Sequence, residues 1–139
     1  MITCGIEIKS NEAILCLLSK DQGLFKILDC RQIRFPLIQA EDSENVRKFQ
    51  FSLKKLFTDY KVDKVVIRER PTKGKFVGAS VGFKIETAIQ LIDTVEVSLM
   101  NNNDLKEITK ENPAPIRFAE TGLRAFQEGA FSVAYAANC

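Results

Sequence analysis

"CGIEIKSNEAILCLL", residues Cys4–Leu18, decides how the chain is read. Two apolar runs flank Ser10-Asn11, a pair with turn chemistry. The stretch therefore predicts a hairpin, with one strand over Ile2–Lys9 and a second over Ala13–Ser19. In the first strand Thr3, Gly5, Glu7 and Lys9 fall on one face, and Cys4, Ile6 and Ile8 on the other. A glutamate suits the middle of a strand poorly and is costly to bury without a partner. Two readings of Glu7 stand. The small Gly5 beside it leaves room for an ion or a phosphate, or Glu7 is a half-exposed strand residue paired with Lys9 or Arg70.

Outward from the hairpin, Asp21-Gln22-Gly23 makes a turn. Leu24–Phe35 reads as a third, broken strand ended by Pro36, which completes an antiparallel meander. Asp42 or Ser43 caps a helix in which Val46, Phe49, Leu53, Leu56 and Tyr60 recur at spacings of three and four. Within Asp63–Arg70, the run Val65-Val66-Ile67 predicts a buried strand. Pro71–Gly74 breaks the pattern, and Val77, Val81, Ile85, Ala88 and Ile92 then predict a helix over Val77–Asp93. Val95–Met100 is a fifth strand. Asn101–Asp104 caps a short helix to about Glu111, which Pro113 and Pro115 break. From Phe118 onward the chain reads as mostly helical, with Ala119, Leu123, Phe126, Ala130, Val133 and Ala137 on one face. The order β-β-β-α-β-α-β-α predicts an α/β fold: a five-stranded mixed sheet with helices on both faces, in a single domain over residues 1–139.

The formal charge of +2 gives no global sign of a nucleic-acid binder, so any basic surface must be local. No apolar run approaches the ~20 residues that span a bilayer. The first residues enter a strand pattern without a basic leader, so the chain is expected to be cytoplasmic, with no membrane partner. Cys4, Cys16, Cys30 and Cys139 form no CxxC pair and read as reduced, inert thiols. The absence of histidine removes Ser-His and Cys-His nucleophile pairs and the usual general base at neutral pH. Any chemistry must rest on carboxylates, lysines, tyrosines, thiols or a metal held by oxygen ligands.

The element order is that of the ribonuclease H-like fold, and two short motifs sharpen the resemblance. Gly5-Ile6-Glu7 resembles the Gly-Ile-Asp signature in the first strand of RuvC-type Holliday junction resolvases, where the acid is a metal ligand. "VVIRERPTKGKFVGASVGFKIETAIQL" resembles that family's fourth strand, following loop and helix, with Glu69 in the place of the acid that ends the strand. The family's last helix carries an Asp-Ala-Ala-Asp-Ala pattern. "QEGAFSVAYAA" resembles it in part: Glu128 matches the first acid, and the second falls on Phe131, which cannot bind a metal. The sequence is also similar to a family of short bacterial proteins of unknown function.

The resemblance implies a metal-dependent nuclease of the RuvC type acting on structured nucleic acid, with Glu7, Glu69 and Glu128 as catalytic metal ligands for Mg²⁺ or Mn²⁺. Arg70, Lys73 and Lys75, around the flexible Gly74, would contact phosphates. Gly78 and Gly82 would permit close approach by DNA or tight packing on the sheet. Two alternatives stand beside the nuclease: a catalytically inactive nucleic-acid or nucleotide-binding module, and a dimeric interaction scaffold. A homodimer is expected because Phe131, Val133 and Tyr135 lie in a helix that is apolar around most of its circumference. Glu7 and Glu69 are expected to converge across neighbouring strands.

Overall fold

The first strand, β1 (Ile2–Lys9), lies at the centre of the sheet in a computed structural model that describes residues 1–71 and 80–139. Strand β2 (Glu12–Asp21) pairs with it antiparallel along its whole length, from Ile2↔Ser19 to Lys9↔Glu12. Gln22 and Gly23 then take left-handed backbone angles, φ 50° and 80°, and β3 (Leu24–Leu28) folds back on β2 through this two-residue turn.

The broken third strand of the sequence reading is two strands. After β3 the chain leaves the sheet, and β4 (Arg34–Pro36) rejoins β2 further along. Arg31 explains the departure. Its amide donates to the Tyr60 hydroxyl at 2.7 Å and its guanidinium to Asp59 at 2.6 Å, so the end of the first helix draws the segment away from the sheet. That helix, α1 (Ser43–Asp59), starts where Asp42 accepts from the Glu44 amide.

Strand β5 (Lys64–Arg68) pairs parallel with β1, and β6 (Glu96–Met100) pairs parallel with β5. The path across the sheet is β3-β2-β1-β5-β6, with β4 attached to β2. Between β5 and β6 the described residues give α2 (Ser80–Gln90); the first residues of the expected helix lie outside them. Helix α3 (Asn102–Glu111) is capped by Asn101, whose side chain accepts from the Asp104 amide at 2.8 Å. The expected last helix is not continuous. Single 3₁₀ turns at Phe118–Glu120 and Ala125–Gln127 precede α4 (Glu128–Ala136), and Gly122 between them has φ 80°, which a right-handed helix cannot contain.

The sheet is covered on both faces. Helices α1 and α2 bury the side of Cys4, Ile6, Ile8, Leu15, Leu17, Val65 and Ile67. Helix α4 covers Ile14, Cys16 and Leu18, the cross-strand partners of Glu7, Gly5 and Thr3. It comes so near β1 that a methyl group on Gly5 would overlap the Ala130 carbonyl and stand 2.6 Å from the Ala134 side chain. At the other end of α4, the Lys20 and Lys64 ammonium groups donate to the carbonyls of Asn138 and Ala137 at 2.7 and 2.8 Å. These cations satisfy carbonyls at the negative end of the helix.

The apolar circumference of α4 is covered by its own chain. Phe131, Val133 and Tyr135 are buried, Phe118 packs on Phe131 at 5.9 Å between ring centroids, and the Tyr135 hydroxyl donates to the Pro113 carbonyl at 3.1 Å. These side chains are buried without a second copy, and the expected homodimer is not shown. Among the described residues no helix is long and apolar enough to cross a membrane.

Two measurements check this packing. Gly5→Ala is expected to lower the unfolding free energy by about 3 kcal/mol in urea denaturation, because the added carbon meets helix backbone that cannot yield alone. A loss below about 1 kcal/mol would show that α4 is free to shift. All four thiols are free; Cys4 and Cys16 are buried, and desolvation pushes the Cys16 thiol up to about 12 and Cys4 well above its ordinary value. Thiol labelling at neutral pH is accordingly expected to modify the exposed Cys139 first, and Cys4 and Cys16 only on unfolding.

Candidate functional site

The parallel register of β1 and β5 ends at Ile6↔Ile67, so the next residues, Glu7 and Arg68, leave their strands side by side on the α4 face. The Arg68 Nη1 donates to Glu7 Oε2 at 3.0 Å, and its Nε donates to Oδ1 of Asn102, the first residue of α3, at 2.8 Å. Lys9 stands on the same face as Glu7, two residues on, with its Nζ 3.5 Å from Oε1. The Glu7 side chain is 14% exposed and that of Arg68 34%. From above, Gly129 in the first turn of α4 presses so close that any side chain there would overlap the Glu7 carboxylate. The constellation sits at the carboxyl ends of β1 and β5, where α/β sheets place their ligands.

Of the two readings of Glu7, the ion pair with Lys9 is present, and Arg68 takes the part given to Arg70. Arg70 is engaged elsewhere. Its guanidinium donates to the Ile8 carbonyl and lies against Gly82, whose lack of a side chain admits it, and its amide donates to the buried Glu86 at 3.0 Å. Gly82 thus serves packing on the sheet. Lys73, Lys75 and Gly78 lie outside the described residues.

Glu69 follows Arg68 by one residue, and its amide continues the ladder to the Met100 carbonyl at 2.9 Å. Glu69 thus lies one residue beyond the end of β5, and the side chain that meets Glu7 from that strand is Arg68. Glu128 is exposed at the start of α4, in a cleft that it shares with Arg68. Phe131 is buried against the sheet. A hollow of about 600 Å³ between α1 and α2 lies on the opposite side of the sheet.

These residues do not fit the divalent ion that the resolvase resemblance implies. One carboxylate oxygen of Glu7 is taken by Arg68. The other has no hydrogen-bond partner among the described residues, and the Lys9 ammonium stands 3.5 Å from it. No group of three or more His, Cys, Asp or Glu side chains is placed to hold a metal among the described residues. A metal on Glu7 would sit between the Arg68 and Lys9 cations and would complete its shell with water and substrate phosphate. What the arrangement offers is two cations, Arg68 and Lys9, on the Glu7 carboxylate, with Glu128 in the adjoining cleft.

The residue that the sequence reading passed over is Arg68. The signal was available in the spacing: Gly5-Ile6-Glu7 and Val66-Ile67-Arg68 are equivalent triplets once the strands are paired parallel at Ile6 and Ile67.

A double-mutant cycle measures the pair. Arg68→Met is expected to cost about 2 kcal/mol, the range for a charged hydrogen bond lost in a partly buried site. Arg68→Met with Glu7→Leu is expected to cost less than the two single changes together, by about 1 kcal/mol. Strict additivity in urea denaturation would show that the two side chains do not interact.

The comparisons with known proteins bear on the fold. No curated protein matches the chain. Among solved structures, Thermus thermophilus RuvC is similar with a TM-score of 0.73 at 13% identity, covering 98% of this chain and 92% of that one. T. thermophilus RuvC in complex with Holliday junction substrate gives 0.65 at 12% identity, over 98% and 91% of the two chains. The Fowlpox virus resolvase with its substrate Holliday junction DNA gives 0.56 at 12% identity, over 99% and 98%. At these identities the likeness shows the fold, which is ribonuclease H-like. One family model, described as "Protein of unknown function (DUF3010)", matches residues 1–137, and the chain belongs to that family.

Proposed function

We propose that this chain is a nucleic-acid-binding domain of resolvase fold that does not hydrolyse phosphodiesters, with the Arg68–Glu7 pair in place of a bound divalent ion. The observation that carries this reading is the 3.0 Å contact between Arg68 and the one acid of the first-strand motif. A guanidinium there neutralises the carboxylate and polarises its surroundings as a cation would. It cannot lower the pKa of a bound water as a metal does, so the step that generates the nucleophile in two-metal cleavage has no agent.

Binding has separate support. Two similar resolvases were solved with Holliday junctions, and Lys9 and Arg68 place two cations at the carboxyl-end edge of the sheet that could contact phosphate. Lys73 and Lys75 follow in sequence close to Arg70 and add basic groups. Arginine and lysine contacts to phosphate position a nucleic acid without reading its sequence, so the ligand class is defined by shape: branched or otherwise structured nucleic acid.

The test is binding and cleavage of labelled four-way junction, duplex and single strand, in EDTA and in Mg²⁺ or Mn²⁺, over a range of salt. Binding is expected to be equal with and without metal, to weaken steeply with salt, and to leave every strand intact. Strand cleavage by the wild type that is lost in Glu7→Gln would overturn the reading in favour of a metal-dependent nuclease. Failure to bind any of these nucleic acids would leave the fold as an interaction scaffold.

A further inference from the structure

Beside the Glu7–Arg68 pair is a cleft of about 320 Å³, between α3, α4 and the connection that Pro113 and Pro115 hold out of helix. Arg68 lines it and joins it to the site already described. Its apolar walls include Leu105, Ile116 and the ring pair Phe118–Phe131, tilted by 54° with centroids 5.9 Å apart. Ile116, at the rim, remains 44% exposed. Lys106 and Glu128, both exposed, also line the cleft.

This combination of groups has one chemistry in common. The partly exposed Phe118 ring, backed by the buried Phe131, can hold a flat ring, two cations hold a phosphate, and a carboxylate, which accepts hydrogen bonds and cannot donate them, holds an amino group. A fully paired duplex presents its bases edge-on and stacked, so it cannot fill the cleft; a base turned out of the stack can.

We infer that the cleft between α3 and α4 receives one unpaired nucleotide, its base against Phe118 and Ile116, its phosphate facing Arg68 and Lys106, and an exocyclic amino group donating to Glu128. The inference rests on the nucleic-acid-binding reading and adds to it a ligand feature: the unpaired base found at junctions, bulges and loops. The carboxylate favours adenine, cytosine and guanine over thymine and uracil, which carry no amino group.

The experiment compares the full chain binding to a fully paired duplex and to the same duplex with a single bulged dA or dT, in EDTA at fixed salt. The dA bulge is expected to bind about tenfold more tightly than the paired duplex, the lower end of what one base–aromatic stack contributes. It is also expected to bind more tightly than the dT bulge. Phe118→Leu, which keeps an apolar side chain and removes the ring, and Lys106→Ala, at an exposed position, should each reduce the bulge-to-paired ratio towards one. Glu128→Gln should abolish the preference of dA over dT. Equal binding of bulged and paired duplex by the wild type overturns the cleft assignment and leaves the binding reading standing, as does a Phe118→Leu variant that keeps the full ratio. A protein that binds none of these duplexes overturns both.

Discussion

Helix α4 lies on β1 at a separation that only glycine permits, and the arrangement of the candidate site depends on that separation. Gly5 on the strand accepts the backbone of Ala130, and Gly129 on the helix accepts the carboxylate of Glu7. Either glycine given a side chain would push the two elements apart. The anchor that holds the start of α4 in place is Gln127, almost fully buried, whose amide donates to the Leu15 carbonyl on β2 at 2.9 Å while its oxygen accepts from the Arg124 amide at 3.0 Å. At the far end Lys20 and Lys64 take the last carbonyls. The helix is thus fastened at both ends and pressed in between, which accounts for a nine-residue element with an almost wholly buried surface.

Closing the helix over the strand removes water from one side of Glu7, and a carboxylate in that position needs compensation from within the protein. The parallel pairing of β1 and β5 supplies it, because register alone decides that an arginine leaves β5 where Glu7 leaves β1. The same register puts Glu69 one residue too late. A shift of one position would exchange the two and place acid beside acid. The core opposes such a shift, because it would turn Val65 and Ile67 off the side that α1 and α2 bury and put Arg68 there instead.

Much of the fold was legible in the sequence. The hairpin, the alternation of helices and strands after the meander, helix starts at Asp42 or Ser43 and within Asn101–Asp104, and the buried strand around Val65-Val66-Ile67 all follow from local periodicity and turn chemistry, and the structure has them. The breaks were less legible. The gap between β3 and β4 is made by Arg31 reaching α1, and the break at Gly122 by a left-handed angle, neither of which leaves a periodic trace. At the site, Glu7 was marked correctly as a residue in need of a partner. The partner's identity depends on pairing between residues 61 positions apart, and an acid-centred family motif directed attention to Glu69 in place of its neighbour.

The seating of α4 also has a consequence in time. The strands it covers, β1 and β2, lie near one end of the sequence, and the helix lies near the other. Ile14, Cys16 and Leu18 find their cover only when residues more than a hundred positions later arrive, whereas the other side of the sheet is closed by α1 and α2, which come sooner. Contacts of such long separation form late, since the entropy of closing the intervening loop is spent before they contribute. On a nascent chain the α4 side of the sheet has no cover of its own until residues 128–136 have left the ribosome. The bare side is a paired, apolar strand surface, so the interval is one of exposure to self-association, and its length is set by the order of elements along the chain.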